Sequence, residues 1–331
     1  MTKPEGSETS HPLVELRDLV KYFPIHGGLL GRQVGAVKAV DGVSFEVNAG
    51  ETLSLVGESG CGKSTVGRCV ARLLDLTSGE LRLDGERIDG LPQSNLKPFR
   101  KRLNIVFQDP FSSLNPRMNV EALISEPLRS HGIVPGRAER RARVAQLLDT
   151  VGLSADIMDR MPHQFSGGQR QRICIARALS SEPDFIVCDE AVSALDVSVQ
   201  AQIINLLMRL QADLGLAILF ISHDLAVVEH LSDRVAVMYL GRIMEIADRD
   251  QLFAAPAHPY TKALLSAVPL PDPSVRQKRV ILKGEVPSPI DPPSGCPFRT
   301  RCPIANDICA QIRPELVEHT PGQSVACHFP G

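Results

Sequence analysis

Between Leu13 and Phe23 the chain reads LVELRDLVKYF, with apolar and polar residues in near alternation. A period of two is what a strand with one face in a core requires. VKAVDGVSFEV (37–47) and ETLSLVG (51–57) give two further strands joined by an NAG turn, and the Gly-rich stretch 26–35 is expected to be a loop. The pattern then changes. In RAERRARVAQLLDTVGL (137–153) apolar residues recur at helical spacing with Arg and Glu on the opposite face. PDFIVCDE (183–190) and AILFISHD (217–224) are short, continuous apolar runs that end in acidic or His residues. Runs of that kind fit interior strands of a parallel sheet whose functional groups sit at the C-terminal ends. Residues 1–12 are polar and expected to be disordered. From about residue 254 prolines multiply (APAHPY, VPLPDP, EVPSPIDPPSG), which marks a boundary and a mostly irregular tail.

Composition narrows the class. With 331 residues, 43% of them hydrophobic and 22% charged, the chain can fill one large domain plus an appendage, or two domains. A formal charge of −2 lacks the basic excess of nucleic-acid binders. The longest apolar run, LGLAILFI, is far short of the roughly 18–20 residues that cross a bilayer. The start, MTKPEGSETSHP, lacks the regions of a signal peptide. A cytosolic protein is expected, with any membrane role exercised through a partner.

GESGCGKST (57–65) follows a strand pattern and precedes a helix-like run, as a phosphate-binding loop must. Gly57, Gly60 and Gly62 let the backbone N–H groups of Ser59, Cys61 and their neighbours face phosphate, helped by the positive end of the next helix. Lys63 supplies a point charge there, and the hydroxyl of Ser64, next to Thr65, can ligate Mg²⁺. Asp189 is placed to hold Mg²⁺ and Glu190 to polarise the attacking water; alone, such an acidic pair could equally cap a helix. In FSGGQRQR (165–172), Ser166 can cap a helix while Gly167 and Gly168 leave its first N–H groups open to an anion.

With FIVCDE, SALD and ISHD in order, residues 13–255 resemble the ATP-binding-cassette ATPases. The resemblance implies an α/β P-loop NTPase cassette: a mainly parallel core sheet, an antiparallel β subdomain and a helical subdomain over about 110–165. It also implies two such domains paired head to tail, with Ser166, Gly167, Gly168 and Gln169 of one contacting the γ-phosphate on the other. Under it Gln108, in IVFQDP, senses the metal and contacts the membrane partner, and Asp196 communicates across the interface. His223 contacts the γ-phosphate, and Phe23, or else Tyr22, stacks on adenine. Two positions depart from the family pattern: Ala191 stands where proline commonly follows the catalytic glutamate, and Phe165 where leucine is commonest.

KAVDGVSFEV, VFQDPFSSLNPRM, SALDVSVQAQIINLL and HPYTKALLSAVP resemble, more narrowly, the ATPase subunits of oligopeptide and dipeptide importers, a subunit type shared with importers of nickel and some sugars. That implies a peripheral protein on the cytoplasmic face of the membrane, with two permeases, a second and usually non-identical ATPase, and an extracytoplasmic solute-binding protein. Two rival readings, a soluble cassette acting on ribosomes or DNA and a subunit that binds ATP without hydrolysing it, have less in their favour. The chain carries neither fused cassettes nor long coiled coils, and Glu190, His223 and SGGQ are intact. The extension 256–331 has four grouped cysteines, Cys296, Cys302, Cys309 and Cys327; Cys61, Cys69, Cys174 and Cys188 are scattered among apolar or small neighbours and read as buried. In a reducing compartment a group points to metal before disulfide. The spacing lacks the short C-x2–4-C pairs of zinc sites, so a [4Fe–4S] cluster is expected, with Zn²⁺ or plain thiols as alternatives. A metal staple would then order a tail with little core of its own.

Overall fold

A computed structural model describes residues 11–27, 32–268 and 280–331; most of the polar N-terminus and the prolines of 269–279 lie outside them. The chain opens with β1 (Val14–Gly27), β2 (Arg32–Val47) and β3 (Thr52–Val56), followed by β4 (Ser78–Leu83), β5 (Glu86–Arg87) and β6 (Leu103–Val106). The later strands are β7 (Phe185–Asp189), β8 (Ala217–Ile221), β9 (Arg234–Tyr239), β10 (Arg242–Asp248), β11 (Val317–Thr320) and β12 (Gln323–Val325).

The described strands form two sheets. A four-stranded antiparallel sheet runs β2-β1-β4-β5, and a second sheet runs β11-β12-β10-β9-β3-β8-β7-β6. In the second, β9, β3, β8, β7 and β6 are parallel, and β10 and β12 add antiparallel strands at one side. Every residue of TLSLV, FIVCD and AILFI is buried, so these are strands covered on both faces. Their side chains alternate between two cores. Ile186 and Cys188 face the core built with the helices Val120–Ser130, Arg137–Thr150 and Gly167–Leu179. Phe185 and Val187 face the core shared with the helix Lys63–Val70 and the antiparallel sheet. Period-two alternation thus mounts the phosphate loop and the helical segment on opposite faces of one sheet.

Two expectations change. Of the Gly-rich stretch 26–35, the described residues are paired rather than loop, with His26 opposite Gln33 and Gly27 opposite Arg32, while 28–31 lie outside the described residues. The larger correction concerns the cysteines. Among the described residues no group of three or more His, Cys, Asp or Glu side chains is arranged to hold a metal ion, which overturns the expected iron–sulfur cluster. Cys296 is pushed up to about 11, mainly by burial, and burial also raises Cys302 and Cys327, so these thiols are protonated near neutrality. What orders the extension is burial against the cassette. Phe298 is 0% exposed and packs edge-on against Tyr239, with ring centroids 5.3 Å apart. β12 pairs with β10, and the buried Glu245 carboxylate of β10 accepts hydrogen bonds from the Ala257 and His258 N–H groups and from Gln323 Nε2.

Candidate nucleotide site

Gly62 ends the phosphate loop in a left-handed conformation, φ +109°, immediately before the helix that starts at Lys63. A Cβ there would meet the Ala39 carbonyl oxygen at 2.1 Å, and one on Gly57 would meet that of Met238 at the same distance. Only glycine lets the loop lie so close to β2 and β9. Lys63 is 4% exposed; its Nζ donates to the carbonyls of Gly57, at 2.7 Å, and Glu58, at 3.1 Å. Ser59, Gly60, Gly62, Lys63, Ser64 and Thr65 line one wall of a cavity. Gln108, Glu190, Val37, Ala39 and Pro289 complete the lining of the same cavity. Gly57 and Cys61 support the loop from behind: the Cys61 thiol is buried 3.8 Å from Lys63 Nζ, and its carbonyl accepts from Gly241 N–H.

Asp189 ends β7 beside this wall. It is 3% exposed and its Oδ1 has no hydrogen-bond partner. Burial raises its pKa, while the Ser64 hydroxyl and Arg68, 3.8 Å away, pull the other way. A buried carboxylate oxygen without a partner, next to a serine hydroxyl at a phosphate-binding loop, fits a Mg²⁺ site. Glu190 follows with φ +48°, a backbone state that costs about 1 kcal/mol or more in a non-glycine residue. Its N–H donates to Ile221 of β8 and its own carbonyl accepts from Ser193 N–H, which hold that geometry. Gln108 Nε2 donates to Glu190 Oε2 at 2.9 Å, and His223 Nδ1 lies 3.4 Å from Oε1. The ends of β6, β7 and β8 therefore bring Gln108, Glu190 and His223 to one spot, as neighbours in a parallel sheet must.

Other motif residues lie elsewhere. Ser166 caps the helix Gly167–Leu179 in a capping box with Gln169. A Cβ on Gly168 would sit 2.4 Å from Val199 Cγ1, so glycine there is also a packing requirement. Ser166, Gly167, Gly168, Gln169 and the exposed Asp196 do not line the Lys63 cavity. Phe23 is opposite Val37 in the β1–β2 pair, 37% exposed and beneath Lys21 Nζ. Tyr22 is committed to Asp41 through its hydroxyl, and burial lifts it to about 12. Phe165 and Ala191, the two departures from the family pattern, are both buried packing residues. A separate cavity, lined in part by Arg242, Arg313 and Glu315, holds none of the expected site residues.

A phosphate loop follows β3, Glu190 follows β7 in the same cavity, and Asp189 and His223 stand next to these residues on a parallel sheet. The ABC transporter family matches residues 40–193, and the family described as "Oligopeptide/dipeptide transporter, C-terminal region" matches 244–309. The chain is 54% identical over 320 residues to the oligopeptide transport ATP-binding protein AppF of Bacillus subtilis (strain 168), covering 96% of this chain and 97% of that protein. This chain belongs to the ABC transporter ATPases. The probable peptide ABC transporter ATP-binding protein y4tS of Sinorhizobium fredii (strain NBRC 101917 / NGR234) is also 54% identical, over 96% of this chain and 90% of that protein. The dimeric ATP-binding cassette MJ0796 bound to ADP and Pi superposes with a TM-score of 0.64 at 27% identity, over 71% of this chain and 98% of its own. CbiO1 from Clostridium perfringens, part of the ABC transporter complex cbiONQ, gives 0.62 at 28% identity, over 73% and 91%. The chain is therefore an ATPase that uses ATP with Mg²⁺.

Sequence reasoning missed Glu58, Ser193, Tyr260, Pro289 and Arg301 around this pocket. The first two stood at unspecified positions inside the recognised motifs, and HPYTKALL was read only as a mark of the branch. Nothing near Pro289 or Arg301 in sequence points at a phosphate loop.

Proposed function

We propose that this chain is the ATP-hydrolysing subunit of a membrane importer of peptides. The observation that carries the reading is identity above one half along nearly the whole of proteins named for peptide transport, extension included. No helix among the described residues is long and apolar enough to cross a membrane. The subunit works from the membrane's cytoplasmic face, beside two permeases, a second and non-identical ATPase, and an extracytoplasmic binding protein. In this reading residues 13–255 are the motor and 256–331 its extension.

The loop N–H groups and Lys63 hold the β- and γ-phosphates of ATP. Ser64, Gln108 and Asp189 would hold Mg²⁺, which would supply neutralisation of charge on the phosphate oxygens. Glu190 accepts the proton of the attacking water as that water adds to the γ-phosphorus, and the bond to the ADP oxygen breaks. Gln108 holds the Glu190 carboxylate in place, and His223 reaches the γ-phosphate once it is bound. Phe23 stacks on the adenine. The Ser166–Gln169 turn presents its N–H groups to a partner's nucleotide, which is consistent with its place outside its own chain's pocket. Closure stabilised by two sandwiched nucleotides, and reopening after hydrolysis, drive the permeases.

Glu190→Gln tests the assignment. It should bind ATP with an affinity close to that of the native chain while turnover falls by at least about 10²-fold, the usual worth of a general base. Turnover within a few-fold of native would remove Glu190 from this role.

A further inference from the structure

The family signature of the nucleotide site ends long before the C-terminal extension begins, yet the extension reaches that site at two places. Glu58, the second residue of the phosphate loop, is gripped from both ends. Its carboxylate takes both Nη atoms of Arg301, at 2.7 and 3.1 Å, and the Arg301 side chain is 8% exposed. Its backbone N–H donates to the Tyr260 hydroxyl at 3.0 Å, and Tyr260 is fully buried. Both gripping residues stand on one aromatic cluster, because Tyr260 and Phe298 pack together with centroids 5.3 Å apart and Arg301 lies over Tyr239. At the second place the Pro289 carbonyl accepts from Lys38 N–H at 3.0 Å, and Pro289 forms part of the cavity wall beside Val37.

We propose that the C-terminal extension is a working part of the nucleotide pocket, with Arg301 and Tyr260 as positioning residues for the phosphate loop and Pro289 as its side wall. The chain of contacts is short. Lys63 Nζ donates to the Gly57 carbonyl at 2.7 Å, so the Gly57–Glu58 peptide whose N–H Tyr260 holds also holds the phosphate-binding lysine, while Arg301 fixes the Glu58 side chain beside it. A bidentate Arg–carboxylate pair fixes orientation as well as distance. A partly buried pair of this kind holds a backbone segment far more firmly than an exposed one. Releasing the grip lets the first turn of the loop move and weakens ground-state binding of the triphosphate. Glu190, Gln108 and His223, carried by other strands, keep their geometry. The signature is thus a rise in KM for ATP with kcat largely kept.

The inference rests on the Lys63 cavity being the ATP site, so the native full chain serves as the reference. Binding is read by fluorescence polarisation of N-methylanthraniloyl-ATP, and KM and kcat by phosphate release. Arg301→Gln should weaken binding and raise KM by about tenfold, roughly 1.4 kcal/mol, with kcat within about threefold of native. Arg301→Lys, which keeps the charge, should recover part of that loss. Glu58→Gln should match Arg301→Gln, and the double variant should be no worse than either alone. Arg299→Gln, which breaks contacts inside the extension to the Ser294 carbonyl and hydroxyl, should leave KM unchanged. Native-like KM and affinity in folded Arg301→Gln would overturn the proposal. So would an equal rise in Arg299→Gln, since general loosening of the extension would then explain both. If Arg301→Gln does not fold, Glu58→Gln decides by the same criteria. Failure of the native chain to bind the analogue would instead indict the site itself.

Discussion

His258 shows how far one side chain's surroundings can move its chemistry. It is 1% exposed, its Nδ1 accepts from Tyr260 N–H at 3.0 Å, and burial pushes its pKa down to about 3. The unfolded chain takes up a proton there near pH 6.5, while the folded one does not until about pH 3. Stability from this residue is therefore complete above about pH 6.5 and is lost as pH falls toward 3, by at most about 1.4 kcal/mol per pH unit. His258→Asn keeps a helix-capping acceptor and removes the titration. Its melting temperature should start below the native value at pH 8 and approach it as the pH is lowered to 4. Parallel melting curves across that range would show that His258 is not the group responsible. Glycine sets the opposite limit at this scale, since at Gly57 and Gly62 a single added carbon collides with backbone, not with a side chain that could move aside.

At the scale of elements, the extension owes its order to neighbours far away in sequence. β12 completes a sheet edge against β10, Gln323 satisfies the buried Glu245, and Phe298 fills a hollow between Tyr239 and Tyr260. Truncating Phe298 removes a fully buried ring from that hollow. Phe298→Ala should cost about 3–5 kcal/mol of stability. Thermal or urea unfolding would measure it, and a loss below about 1 kcal/mol would mean that the ring does not anchor the extension. The parallel strands follow a different logic. TLSLV, FIVCD and AILFI are apolar throughout because both faces are covered, and the residue after each run leaves the sheet at the same end. Stacking these strands side by side gathers the phosphate loop, Glu190 and His223 without any one segment encoding their meeting.

At the scale of the whole molecule, the Ser166 turn, a helix N-terminus, lies outside the cavity that Lys63 lines. Ser166→Arg should then leave ATP binding by the isolated full chain within about twofold of native, while turnover in the assembled transporter falls by more than about 10²-fold. A parallel loss of binding in the isolated chain would place Ser166 in its own pocket and refute the two-chain arrangement.

The sequence by itself determined the motor. A phosphate loop needs glycines at fixed places between a strand and a helix, and buried parallel strands need unbroken apolar runs, so residues near one another in the chain specify them. It also carried the family's branch, in motifs spread along nearly the whole length. The order of the extension was not legible, and the metal-bound reading of Cys296, Cys302, Cys309 and Cys327 failed for that reason. Grouped thiols can be counted in a sequence, but whether a tail can be held by burial depends on a surface that only the folded cassette provides. Arg301 and Glu58 are 243 residues apart, and no periodicity or spacing near either one points to the other. Tertiary structure alone decided that the last part of the chain closes over the first part of the nucleotide site.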